Sequence, residues 1–155
     1  MTGYPILDEV VTVHACHYYL SLINRFTETT KNMTEQQLRI YLVRAEDRYI
    51  GWIKNIRKMQ SHNIIPPIDV AYLWHTHMLS PFRYYEDLTR LRLGDAVRIR
   101  IPLKAMYDHR MEPHKHSLEL WPILMGPQPY DLDVDNLDGD KYVECLDCHK
   151  KMKSK

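Results

Sequence analysis

Between Leu38 and Met59 the apolar positions recur every three to four residues. Leu38, Tyr41, Leu42, Ala45, Tyr49, Trp52, Ile53, Ile56 and Met59 share one face of a helical wheel, and Arg39, Glu46, Asp47, Lys54, Arg57 and Lys58 lie off it. This period predicts a long core helix. Thr34 followed three residues later by Gln37 has the form of a capping box at its start, and the helix is expected to end near residues 60–63. Residues 5–27 predict an earlier helix. Leu7, Val11, Ala15, Tyr18, Leu22 and Phe26 form a broad apolar face, widened by Cys16, Tyr19 and Ile23. Only a narrow strip with His14, His17, Ser21 and Asn24 is polar, so this helix is expected to be largely buried.

Ile64-Ile65-Pro66-Pro67 must be extended, because proline disfavours helical geometry in the residue before it. The helix resumes at about Ile68 or Asp69, where an acidic side chain suits the positive end of the helix dipole. Residues 70–79, VAYLWHTHML, are apolar almost all round and predict a buried helix. Ser80-Pro81 reads as a restart, with serine at the N-cap and proline at the first helical position. The next helix covers about 81–92, with Gly94 as its stop. VRIRIPL at 97–103 fits a short edge strand, and a short helix from 102 to about 109 fits equally. Residues 117–125 predict one more short helix, interrupted by Pro122, and 126–140 read as loop. Residues 142–145 predict a final short strand. The pattern amounts to an all-α domain of about four to five helices over residues 1–126, with a loop-rich C-terminal extension over 127–155.

Length and charge narrow the function classes. At 155 residues the chain holds one domain, with or without a tail. A net charge of +1 gives no global attraction to nucleic acid or an anionic membrane. No apolar stretch approaches the roughly 20 residues that span a bilayer. Three cysteines without an export signal point to a reducing, intracellular and cytoplasmic setting. Eleven Tyr against two Phe predict rings at the edge of the core with their hydroxyls paired or wet.

Two clusters can carry chemistry. Cys145-x-x-Cys148-His149 has three readings: haem attachment, which needs export; half of a zinc knuckle gripped by two thiolates; or a pair of free thiols. His75 and His77 form the second cluster, with His17 or His14 as a third imidazole. Imidazoles from two helices meeting in a core can build a zinc or iron site. The alternative is that each histidine bonds a buried Tyr hydroxyl, a carboxylate or a backbone carbonyl. Two residues apart on a regular helix, about 200° around it, His75 and His77 point to different places. His77 falls with Val70, Leu73 and Trp74, and His75 nearer Ala71 and Met78.

The stretch PPIDVAYLWHTHMLSPFRYYEDL at 66–88 combines Pro-hydrophobic-Asp-Val-Ala, Trp-His-x-His and Pro-x-x-Tyr-x-x-Asp. It resembles the glycine-rich domain-containing protein-like family of plants and fungi, with Asp69, Trp74, His75, His77, Tyr84 and Asp87 on the motif. His17, the long second helix, Trp121, Gly126 and Pro129-Tyr130-Asp131 follow the family in order, and Cys145 and Cys148 look like the start of its fungal zinc knuckle. The resemblance implies a mostly helical domain, in plants linked to growth and stress responses and often joined to Gly-rich or RNA-binding segments. Those segments and the second half of the knuckle are absent from this sequence. The resulting expectation is an interaction or regulatory domain with a protein partner, its Trp-His-x-His either a buried polar core or a structural metal site, the candidate zinc ligands being His17, His75, His77, Cys145, Cys148 and His149. A metal-dependent enzyme using His75 or His77 with His17 is the competing expectation.

Overall fold

In the computed structural model the apolar periodicity becomes a bundle of helices built around one central pair. The structure describes residues 11–133, and the backbone of two short strands at 142–144 and 151–153. The helices are α1 (Val13–Thr30), α2 (Glu35–Lys54), α3 (Ile56–Ser61), α4 (Ile68–Met78), α5 (Pro81–Arg90), α6 (Leu103–Asp108) and α7 (Lys115–Met125), with a 3-10 turn at Gly94–Arg98. Strands β1 (Tyr142–Glu144) and β2 (Lys151–Lys153) pair antiparallel, Val143 opposite Met152. The domain is all-α as expected, with the predicted strand at Tyr142 in place. Its seven described helices exceed the four to five expected, because the long helix divides and both candidate helices after residue 100 form.

α2 and α4 pack against each other more extensively than any other described pair. The core at their interface centres on Trp52 of α2 and Trp74 of α4, with Trp121 of α7 against Trp52, each no more than 2% exposed, and Ile53, Ile56, Val70 and Leu88 around them. The capping box closes as predicted. The Gln37 N–H donates to Thr34 Oγ1 at 3.2 Å and the Thr34 N–H to Gln37 Oε1 at 2.9 Å. The predicted continuation to residue 60 breaks at Asn55. Its side-chain amide donates to the Gly51 carbonyl at 3.0 Å, a local bond that competes with the helical ladder.

α1 departs further from expectation. It begins at Val13, since Thr12 is extended (φ −106°, ψ 159°) and its hydroxyl accepts from the Ala15 N–H. Only Leu22 and Phe26 are fully buried, while Val13 and Leu20 lie in solvent. The helix lies at the edge of the bundle against α4 and α6, so a face with apolar periodicity all round meets partners on one side only. α5 ends differently too. Arg92 (φ 58°), not Gly94, takes the left-handed position, and the Leu93 N–H reaches back to the Leu88 carbonyl at 2.7 Å. Burial of Leu93 against the core holds this closure, and Gly94 instead opens the 3-10 turn.

Candidate functional site

The Trp-His-x-His and Pro-x-x-Tyr-x-x-Asp residues sit on α4 and α5, which pack together, and α2 lies across α4. α4 starts after Pro67 because two prolines hold the chain extended, and Asp69 enters its first turn. Ser80 precedes Pro81 at the start of α5 as expected, although its side chain makes no capping bond. The short turn between the two helices brings Trp74 to Tyr84, and the indole N–H donates to the Tyr84 hydroxyl at 3.0 Å.

His77 and Asp87 meet across the same pair of helices, with Nε2 3.2 Å from Oδ2. On its other side His77 Nδ1 lies 2.8 Å from the Tyr49 hydroxyl of α2. The network assigns the proton positions: Tyr49 donates to Nδ1, and Nε2–H donates to the carboxylate. Burial, then the neighbouring Tyr84 and Asp87, pushes the Tyr49 phenol far above its ordinary range. It therefore stays protonated and serves as a donor, not as a nucleophile. Tyr84 stands edge-on to the His77 ring, and its own hydroxyl is pushed up by burial.

Above this chain of bonds a cleft of 260 Å³ opens between α2 and α5. Its floor holds Tyr49 and Leu88, its walls Ile53, Ile50 and Leu91, the last two more than 40% exposed. Lys54 and Arg90, both exposed, also line it. Arg90 is paired with Asp87 at 3.1 Å, whereas Lys54 meets no carboxylate among the described residues.

His75 points away from all of this, as the two-residue spacing requires. Its Nε2 is 3.1 Å from the Tyr19 hydroxyl of α1, and burial lowers its pKa. His17 is exposed and packs edge-on against Tyr107 of α6. His17, His75 and His77, the candidate histidine ligands, thus have three separate sets of neighbours. Among the described residues no group of three or more His, Cys, Asp or Glu side chains is placed to hold a metal ion. Cys145, Cys148 and His149 lie outside the described residues.

Asp69 has the contact that sequence reasoning missed. It is 1% exposed and pairs with Arg48 of α2, itself 3% exposed, with Nε to Oδ2 at 2.7 Å. The same guanidinium donates to the Pro129 carbonyl at 2.6 Å and to the Tyr130 carbonyl. It also lies over the Trp121 ring, 5.0 Å from the centroid. Tyr130 completes the anchor by donating its hydroxyl to the Ile65 carbonyl at 2.8 Å. Burial pushes the Asp69 carboxyl up, and the Arg48 charge and hydrogen bond oppose that shift. The available signal was an arginine at 48 between Ala45 and Trp52, in the middle of an apolar helix face.

Comparison with known proteins agrees with the motif. Residues 13–87 match the model of the family described as glycine-rich domain-containing protein-like. Glycine-rich domain-containing protein 1 of Arabidopsis thaliana is 31% identical over 84 residues, which cover 53% of this chain and 10% of that protein. The matched region therefore spans about a tenth of the length of the relative. No solved structure matches the chain.

Proposed function

We propose, starting from a glycine-rich domain-containing protein-like region at residues 13–87, that this chain is a protein-interaction module. Its motif residues form an internal lock, and the cleft shaped by that lock is the recognition surface. The observation that carries this reading is the contrast between the two. Asp69, Trp74, His75, His77, Tyr84 and Asp87 all spend polar atoms on bonds within the fold. Immediately above His77 and Asp87, Ile50 and Leu91 leave apolar surface open to solvent. A cleft of 260 Å³ takes one bulky apolar side chain. The exposed Lys54 ammonium in its lining selects an acidic residue beside that anchor. The partner is thus a protein segment with an apolar anchor flanked by acid. No described helix is long and apolar enough to cross a membrane.

Selection of a displayed library of random peptides on the full chain tests this. The selected peptides are expected to share a bulky apolar residue next to Asp or Glu. They should lose about tenfold or more in affinity on Ile50→Asp or Leu91→Asp, about 1.4 kcal/mol or more. Both positions are partly exposed, so the variants should keep the melting temperature of the wild type. Peptides that bind both variants as well as wild type would overturn the assignment of the cleft.

The histidines carry no metal in this reading. Zinc content of the purified full chain is expected to be the same for wild type, His75→Ala and His77→Ala. Stoichiometric zinc lost in either variant would favour the metal-dependent enzyme instead.

A further inference from the structure

A second concave site, sharing no lining residue with the cleft at His77, is not used by the interaction reading. A cavity of 360 Å³ is lined by α1, Tyr41 of α2, the Pro66-Pro67 linker, the loop between α6 and α7, and the segment at 130–132. It adjoins an open groove between α1 and α6, and Arg25 and Arg110 line both. The two guanidiniums therefore stand where cavity and groove meet.

Both are held in place by backbone. Arg25 Nη1 donates to the Met106 carbonyl at 3.3 Å. Arg110 Nη1 donates to the Tyr107 carbonyl at 2.8 Å, and its guanidinium lies over the Tyr107 ring at 4.1 Å. Each of these bonds uses one of the five N–H donors of a guanidinium. Two imidazoles join them in the wall: His109 and His114 line the cavity with ring centroids 4.7 Å apart. His114 Nδ1 lies 3.0 Å from Ser117 Oγ, which itself accepts from the Ile65 N–H. The loop carrying these groups is thereby tied to the linker.

Against two guanidiniums and two imidazoles the cavity sets one carboxylate, Asp131. Burial pushes that carboxyl up, and the Arg48 and Arg25 charges pull it back. Tyr41 and Tyr130, the other titratable groups in the wall, have hydroxyls held protonated by burial. The balance is cationic even with the imidazoles neutral. The remaining wall, from Pro66 through Ile68 and across to Met106 and Met111, is apolar and stiffened by two prolines.

We propose that this cavity binds a small phosphate monoester with an apolar body, the phosphate at Arg25 and Arg110 and the body against Ile68, Met111 and Leu132. The volume falls in the usual range of small-molecule sites, about 300–1,000 Å³. Paired guanidiniums backed by imidazoles offer more donors than a single carboxylate can accept, which favours the three terminal oxygens of a phosphate monoester.

The test follows the Arg Nε–Hε signals of the full chain by NMR at constant ionic strength, with phenyl phosphate, inorganic phosphate and benzoate as probes. Phenyl phosphate is expected to shift the Arg25 and Arg110 signals saturably and to bind more tightly than either other probe. Arg110→Gln, at an exposed position, should weaken it about tenfold. Asp131→Asn, which removes the one opposing charge, should tighten it several-fold. Opposite signs for two neighbouring variants distinguish a binding site from a general effect on folding. Shifts that fail to saturate, benzoate binding as tightly as phenyl phosphate, or both variants moving affinity the same way would overturn the proposal. The cleft between α2 and α5 shares no lining residue with this cavity, so failure here leaves the peptide selection unaffected.

Discussion

Asp69→Asn is expected to lower the unfolding free energy by about 3–5 kcal/mol, the cost of leaving one member of a buried ion pair without its counter-charge. The amide has nearly the same shape as the carboxylate it replaces, so packing changes little. The Arg48 guanidinium cannot lose its proton and cannot reach solvent, being 3% exposed. It would keep the Pro129 and Tyr130 carbonyls and the Trp121 face, none of which carries a full negative charge. For a domain whose total stability is on the order of 5–15 kcal/mol, that loss is a large fraction. The pair itself need not be a strong net source of stability, since burial works against the ionised Asp69.

The double variant Arg48→Met with Asp69→Leu should therefore cost clearly less than the sum of the two single changes. Urea unfolding of the four proteins measures this coupling. Arg48→Met should in addition release the Pro129-Tyr130 segment, because its carbonyls lose their donor. Limited proteolysis near residues 127–133 would detect the release in that variant and not in wild type. Additive single effects, or an Asp69→Asn cost below about 1 kcal/mol, would show that Arg48 finds another partner or water.

Trp74→Ala is the second large effect, about 3–5 kcal/mol. The ring is 1% exposed and lies against Trp52, with centroids 6.1 Å apart, at the meeting of α2, α4 and α5. Removing it opens a cavity that the Trp52 and Trp121 rings, themselves packed at 6.2 Å, cannot fill without leaving their places. A subtler variant isolates the hydrogen bond. Tyr84→Phe keeps the ring against His77 but removes the acceptor for the Trp74 indole N–H, at a cost of about 1–3 kcal/mol. In a Trp74→Phe background the same change at 84 should cost much less, since no buried donor is left waiting. Equal costs in the two backgrounds would mean that Tyr84 contributes through its ring alone. Near-UV circular dichroism should lose intensity in Trp74→Ala, because the coupled tryptophan rings supply a fixed asymmetric environment.

Those two variants also mark where reading along the chain stops. The periodicity at 38–59 is local, and so are the capping box at Thr34 and Gln37, the break at Pro66-Pro67 and the restart at Pro81. Each is set by neighbours within a few residues, and each stands in the fold. The divergence of His75 and His77 was legible for the same reason, since a two-residue step on a helix separates two side chains wherever the helix lies. The motif residues Asp69, Trp74, Tyr84 and Asp87 could be singled out, but not what they touch.

Partners come from other elements. Tyr19 for His75, Tyr49 for His77 and Arg48 for Asp69 are between 21 and 56 residues away in the chain. No local preference specifies such a meeting. The exposure of α1 is of the same kind: Cys16 and Tyr19 belong to its apolar face, but packing at the edge of the bundle left them uncovered. What the sequence determined alone was the class of fold and the helix boundaries marked by a capping box or by proline, at Thr34, Pro66-Pro67 and Pro81, because hydrogen bonding and sterics within a turn decide these. The tertiary structure alone decided which helix faces are buried and which polar groups pair. It alone formed the cleft over His77 and the basic cavity at Arg25 and Arg110, because each is enclosed by elements far apart in the chain.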